Sequence, residues 1–220
     1  MATDALRAHI AFIALAFAAA AACAAAPTGK TPGHPATAAP DAGAPTRGSP
    51  GNPSALRPVA LANAGFESSQ SAPTEGLDGW YSYQHAGAIS YLFVLDEAVK
   101  HGGARSLRID NVGSEPYGSV AQIITGRELS GKTVRFSAWL KTRGADANGA
   151  TLFVIATLGG NIMAHNFMAG AEVKGTRDWA RHSVTLAVPA QADQLRVGAT
   201  LEGKGTVWFD DAELEVITTP

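Results

Sequence analysis

The chain has 220 residues, a formal net charge of −2 and a single cysteine. One cysteine excludes an intramolecular disulfide framework and a cysteine-based zinc site. Residues 59–220 carry 13 Lys/Arg against 17 Asp/Glu, a mildly acidic balance that excludes the basic stripe needed to displace counterions from nucleic acid.

Residues 1–26 are expected to be an export signal. Arg7 and His9 precede the apolar run Ile10–Phe17, which continues as alanines to Ala22. About a dozen apolar residues suit a signal h-region and fall short of the roughly 20 needed to span a bilayer. Cys23 follows Ala20-Ala21-Ala22, where a lipoprotein signal places its lipidated cysteine. Either Cys23 carries a lipid anchor, the one membrane attachment expected, or cleavage near Ala24–Ala26 discards it. The expected location is the periplasm, the outer membrane as a lipoprotein, or the extracellular space. Residues 27–58 hold eight of the twelve prolines and one large apolar residue, Leu56. They read as a disordered Pro/Ala/Gly-rich linker, because too little surface can be buried to offset the entropy of ordering it.

Residues 59–217 change character. Thr133–Lys141 sets Val134, Phe136, Ala138 and Leu140 against Arg135, Ser137, Trp139 and Lys141. Gln194–Glu202 and His182–Val188 alternate in the same way, and Ile89–Asp96, Ser106–Asp110, Ser119–Thr125, Thr151–Leu158 and Thr206–Ile217 are further strand candidates. A period of two marks strands. Glycine-rich clusters, among them Gly144–Gly149, Gly159-Gly-Asn and Glu202–Gly205, mark the turns between them. The expected fold is all-β, an antiparallel β-sandwich of the jelly-roll kind.

Catalytic patterns fail on context. Gly126–Thr133 matches a phosphate loop letter for letter, but that chemistry needs a helix from Lys132 and the following residues alternate as a strand. There is no Gly-x-Ser-x-Gly elbow and no His-Glu-x-x-His pair. His85, His101, His165 and His182 are scattered without ligand spacing, and the adjacent Asp210 and Asp211 point to opposite strand faces. The expectation is a protein without a catalytic constellation.

A series of short motifs runs in order through the domain. They are Asn63–Glu67, Gly79-Trp80, His101–Arg108, Val120-Ala-Gln122, Leu129–Thr142, Gly175–Trp179 and Gly203–Val216. The series resembles the CenC-type carbohydrate-binding modules of exported bacterial proteins, which have the galactose-binding-like jelly roll. The resemblance implies a non-catalytic role with polysaccharide or glycan as partner, sometimes beside hydrolases, and a structural calcium held by the Gly65 carbonyl, Glu67 and Asp210. Asp210 is preferred to Asp211 because Trp208, Asp210, Ala212, Leu214 and Val216 alternate onto one face, expected to point inward. The alternatives for Asp210 are a salt bridge to Arg105 or a capped turn. For ligand binding, sugars stack their C–H faces on aromatic rings. Trp139 stands with Arg135 and Lys141 on a polar face, with Gln122 on an adjoining strand, and Tyr81, Tyr83, His165 and Asn166 are further candidates. Trp139 is either a ligand platform or covered by a loop. The alternative functions are a structural or protein-interaction sandwich without a sugar site and a glycosidase-associated protein. Oligomeric state has no signature in the sequence.

Overall fold

A computed structural model describes residues 55–68 and 77–218. The export signal, Cys23 and the linker up to residue 54 lie outside the described residues. Ten strands occur among the described residues, in chain order: β1 (Ala55–Val59), β2 (Tyr81–Gln84), β3 (Tyr91–Asp96), β4 (Ser106–Asn111), β5 (Tyr117–Thr125), β6 (Thr133–Leu158), β7 (Asn161–Asn166), β8 (Val173–Ala187), β9 (Gln194–Glu202) and β10 (Thr206–Thr218). All pairings are antiparallel. No helix occurs among the described residues, so none there is long and apolar enough to cross a membrane.

The path β2-β5-β9-β6-β10-β4-β3 is hydrogen-bonded throughout, with β1 on β10 and β7 and β8 on β6. The 26-residue β6 serves both halves. Its first part pairs β10 and β8 (sheet 1), and Gly149–Thr157 pairs β9 (sheet 2). The predicted turn at Gly144–Gly149 is the crossing between the two. Register shifts against β8 fall at Thr142, Ala145 and Ala150, so the strand bends there without leaving the sheet.

Alternation closes the sandwich. Val134, Phe136, Ala138 and Leu140 from sheet 1 meet Leu152, Val154, Val197, Ala199 and Leu201 from sheet 2 in one buried cluster. The predicted jelly-roll β-sandwich is the observed fold. Its first strand starts earlier than expected: Ala55–Val59, the end of the expected linker, pairs with Leu214–Thr218. Pro58 is tolerated there because the strand is an edge.

One predicted register is corrected. Val207 and Phe209 belong to the core cluster, as do Ala212, Leu214 and Val216. The two sets are out of phase, and a bulge between Asp210 and Glu213, with Asp211 at φ 46°, absorbs the difference. Trp208 and Asp210 therefore take the outer face of sheet 1, opposite to the inward direction expected.

Candidate functional site

Asp210 is fully buried although it faces outward. The loop before β4 covers it: its Oδ2 accepts from His101 N (2.9 Å) and Gly102 N (3.1 Å), and its Oδ1 accepts from Asp211 N (2.8 Å). Burial raises its carboxyl above the ordinary value against these amide bonds, and the Asp211 charge adds to the rise. Glu67 clasps the same loop, both oxygens accepting from Ala104 N at 3.0 and 2.9 Å. Gly103 has φ 52°, and a Cβ there would lie 2.0 Å from Glu67 Oε1, so this approach requires glycine. Of the alternatives for Asp210, the geometry is that of a capped turn, while Arg105 pairs with Glu97 at 3.4 Å.

Gly65, Glu67 and Asp210 are thus brought to one loop, and Asp211 joins them, 3.4 Å from where a Gly65 Cβ would stand. The donors are hard oxygens, the chemistry calcium takes. No three His, Cys, Asp or Glu side chains among the described residues converge with metal-holding geometry. Fitted to this set, a calcium would need backbone carbonyls, that of Gly65 included, beside Glu67 and Asp210.

Trp139 pairs with Asp210 across β6 and β10 on this outer face. The His101 ring lies on it, centroids 3.8 Å apart at 15°, with Trp179 edge-on to His101 at 5.8 Å. Its sequence neighbours are engaged too: Arg135 binds Glu215 at 2.7 Å and Lys141 binds Asp178 at 2.6 Å. Gln122 does not adjoin Trp139. It lies in sheet 2 and points inward, accepting from Ala62 N (2.8 Å) and donating to Ala62 O (2.9 Å). Asn166 is likewise a turn clamp, donating to Thr185 O and accepting from Met168 N.

The other candidates meet elsewhere. Antiparallel partners share a face, so the register lays four rows across the outer face of sheet 2. They are Tyr117–Glu202–Gly149, Tyr83–Ser119–Thr200–Thr151, Tyr81–Ala121–Gly198–Phe153 and Ile123–Arg196–Ile155–His165. Tyr81 and Tyr83 stack at 5.6 Å and 22°, and Phe167 reaches Phe153 at 5.6 Å and His165 at 5.4 Å. Phe153 is fully buried and packs with Ala121, Ile155, Tyr81, Tyr83 and Phe167 in a small second cluster. Gly198 makes room for it: a Cβ would stand 2.8 Å from the Phe153 ring and 1.9 Å from Val120 O. Beside the rings run hydroxyls, Ser119 Oγ on Thr200 Oγ1 at 2.8 Å, with buried Thr151 Oγ1 lacking a partner among the described residues. Burial pushes both phenols up, Tyr83 far above its ordinary value, while the Arg196 charge pulls both the other way.

Tyr81, Tyr83 and His165 were legible in the sequence, whereas Ser119, Thr200, Phe153, Phe167 and Arg196 were not singled out. One signal for Phe153 was present: Leu152–Ile155 is apolar on both faces, which requires cover on the outer side too. A separate groove of about 410 Å³ runs between Pro58–Leu61 and Ala212–Glu215 and contains none of the expected ligand residues.

No family model matches the chain. Over 116 residues, 53% of its length, it is 22% identical to an uncharacterized HTH-type transcriptional regulator, YbfP, of Bacillus subtilis (strain 168), and spans 39% of that protein. Among solved structures it is similar to the xylan-binding CBM22-1 domain of Paenibacillus barcinonensis Xyn10C (TM-score 0.50, 15% identity, 77% of this chain and 97% of that one). The chain has a carbohydrate-binding-module-like fold. Other structures share it. They include the enzymatically active domain of bacteriophage CBA120 tailspike protein 4 (0.54, 15%, 71% of this chain and 21% of that one). The Stig cyclase Fisc of Fischerella sp. TAU, in complex with an indole compound, is another (0.53, 12%, 76% and 100%).

Proposed function

We propose that the protein is a non-catalytic polysaccharide-binding module, of the CenC-like kind, whose ligand lies across the outer face of sheet 2. The observation that carries this reading is the register of that face. It sets the stacked Tyr81–Tyr83 pair beside the Ser119–Thr200 hydroxyls and the Arg196–His165 row. Sugar rings offer C–H faces to aromatics and hydroxyls to such donors and acceptors. The likeness of fold to a xylan-binding domain supports the same reading.

The test is binding of the purified protein to a panel of insoluble and soluble polysaccharides, followed by calorimetry on any that bind. Tyr81→Ala is expected to weaken binding about tenfold, the loss of one stacked ring, and Trp139→Ala to leave it unchanged. No binding to any polysaccharide would sink the reading. The second reading is a protein-interaction sandwich without a sugar site, and the full burial of Phe153 under its neighbours favours it. Under that reading Tyr81→Ala lowers stability and no glycan competes.

The proposal extends to location and metal. Residues 1–26 export the chain, and lipid on Cys23 holds it at the cell envelope through residues 27–54, because an acylated cysteine supplies membrane-binding free energy. Cys23→Ala releases the protein from the membrane fraction if so. Unchanged fractionation would mean that Cys23 is removed with the signal. Calcium would sit at Gly65, Glu67 and Asp210, offsetting the clustered carboxylates and fixing the 101–105 loop.

A further inference from the structure

The outer face of sheet 2 is graded in charge along β9. Its outward residues run Gln194, Arg196, Gly198, Thr200, Glu202. Six residues of strand, about 20 Å of backbone, separate the positions of Arg196 and Glu202. The Glu202 end gathers three carboxyls: burial raises that of Glu202, and Glu172 and Asp146 are near enough for their charges to raise it further. The Arg196 end is cationic, with His165 on the same row across Ile155.

Arg196 differs from most cations on the outer face of sheet 1, where Arg143, the exception, is exposed and lies over the Trp208 ring. There Arg108 is paired with Asp96 and Asp110, Arg135 with Glu215, Lys141 with Asp178 and Arg181 with Glu213. Half-buried Arg196 has no ion pair with any described residue, and its Nε donates to the neutral Gln194 Oε1 at 3.1 Å. Its remaining N–H groups are uncommitted among the described residues, one row along the face and across β5 from the Tyr81–Tyr83 pair, whose phenols feel its charge. A guanidinium presents a planar fork of donors that matches a carboxylate with two parallel bonds. A half-buried cation left without an internal anion, on the same face as a stacking platform, is arranged to receive an anion from outside.

We propose that the ligand of this face is an acidic polysaccharide, with the carboxylate of a uronate unit on Arg196 and that unit's ring beside Tyr81. This rests on the reading of the face as a polysaccharide site. The chain of sugars then runs along the Ser119–Thr200 hydroxyls toward Glu202, where like-charge repulsion disfavours a second uronate and sets the direction of the bound chain.

The experiment compares polygalacturonate and alginate with unsubstituted neutral xylan, by affinity electrophoresis and calorimetry at low and high salt. The unmodified protein is expected to bind a uronate polymer at least about tenfold tighter than xylan at low salt, with the preference shrinking as salt rises. Arg196→Gln should remove the preference by lowering uronate affinity several-fold more than neutral-xylan affinity, Arg196→Lys should keep part of it, and Glu202→Gln should strengthen uronate binding. Equal affinity for both polymers, unaffected by Arg196→Gln, would overturn the acidic-ligand inference and leave the polysaccharide reading standing. A uronate preference that survives Arg196→Gln overturns the role of Arg196. Binding to none of the polymers removes both proposals together.

Discussion

His101 lies flat on Trp139, ring centroids 3.8 Å apart at 15°, and its Nδ1 is 2.7 Å from Asp211 Oδ2. The indole that the sequence leaves as either a ligand platform or a residue beneath a loop is roofed by a loop. Ring pairs of this kind contribute about 1 kcal/mol. His101→Ala is expected to lower stability by roughly that amount and to raise acrylamide quenching of tryptophan fluorescence, as Trp139 becomes accessible. Quenching identical to the unmodified protein would show that the roof is not the His101 ring.

Asp96 predicts an acid limb in stability. Burial acts to raise its carboxyl, but it accepts from Trp208 Nε1 (2.9 Å), the Val99 and Ala98 amides (3.1 and 2.9 Å) and Arg108 (2.8 Å). The net effect is a fall from 3.8 to about 2. A carboxyl depressed by folding contributes stability that is fully present above its unfolded value and is lost as pH falls through the folded one, here between about pH 4 and 2. The contribution is on the order of 2 kcal/mol. Asp96→Asn should reduce stability at pH 7 and flatten the decline between pH 4 and 2 measured by denaturant titration. A variant with the same acid slope as the unmodified protein would show that Asp96 is not its source.

Gln122 is expected to act on stability and not on ligand binding. Gln122→Ala removes both bonds to Ala62, for a cost of about 1–3 kcal/mol where a partly buried amide loses its partner. Polysaccharide affinity should stay within twofold at a temperature where the variant is folded, about 0.4 kcal/mol or less. Loss of binding with unchanged melting would contradict the inward placement.

Calcium is expected to raise the melting temperature, and chelation to lower it, by linkage to the folded state: about 2.7 kcal/mol at a hundredfold excess over Kd. Asp210→Ala is a poor discriminator, because it orphans the amides of His101, Gly102 and Asp211 and destabilises with or without metal. Glu67→Gln keeps an acceptor for Ala104 N and should fold while losing the calcium increment. Superimposable melting curves of the unmodified protein with and without chelator would retire the metal.

The same residues show how far sequence reading reaches. Thr133–Lys141, His182–Val188 and Gln194–Glu202 were legible as strands because side chains on extended backbone must alternate between core and solvent. Tyr81, Tyr83 and His165 were legible as candidates because aromatics and imidazoles carry recognisable chemistry. Their union with Arg196 was not, since β2, β5, β9 and β6 come together by pairings up to 85 residues apart, such as Tyr117↔Glu202 and Ser119↔Thr200.

The amino-acid sequence by itself determined the antiparallel sandwich and the mild acidity of the domain, because both follow from local period and composition. The tertiary structure alone decided which face is which. A period of two states that Trp139 and Arg135 share a side and that Val134 and Phe136 share the other, but says nothing of what covers either side. At Asp211 even the phase is tertiary. A bulge with no glycine or proline to announce it reverses the alternation between Phe209 and Ala212. Core packing on both sides of the bulge outweighs the strain of one residue at positive φ.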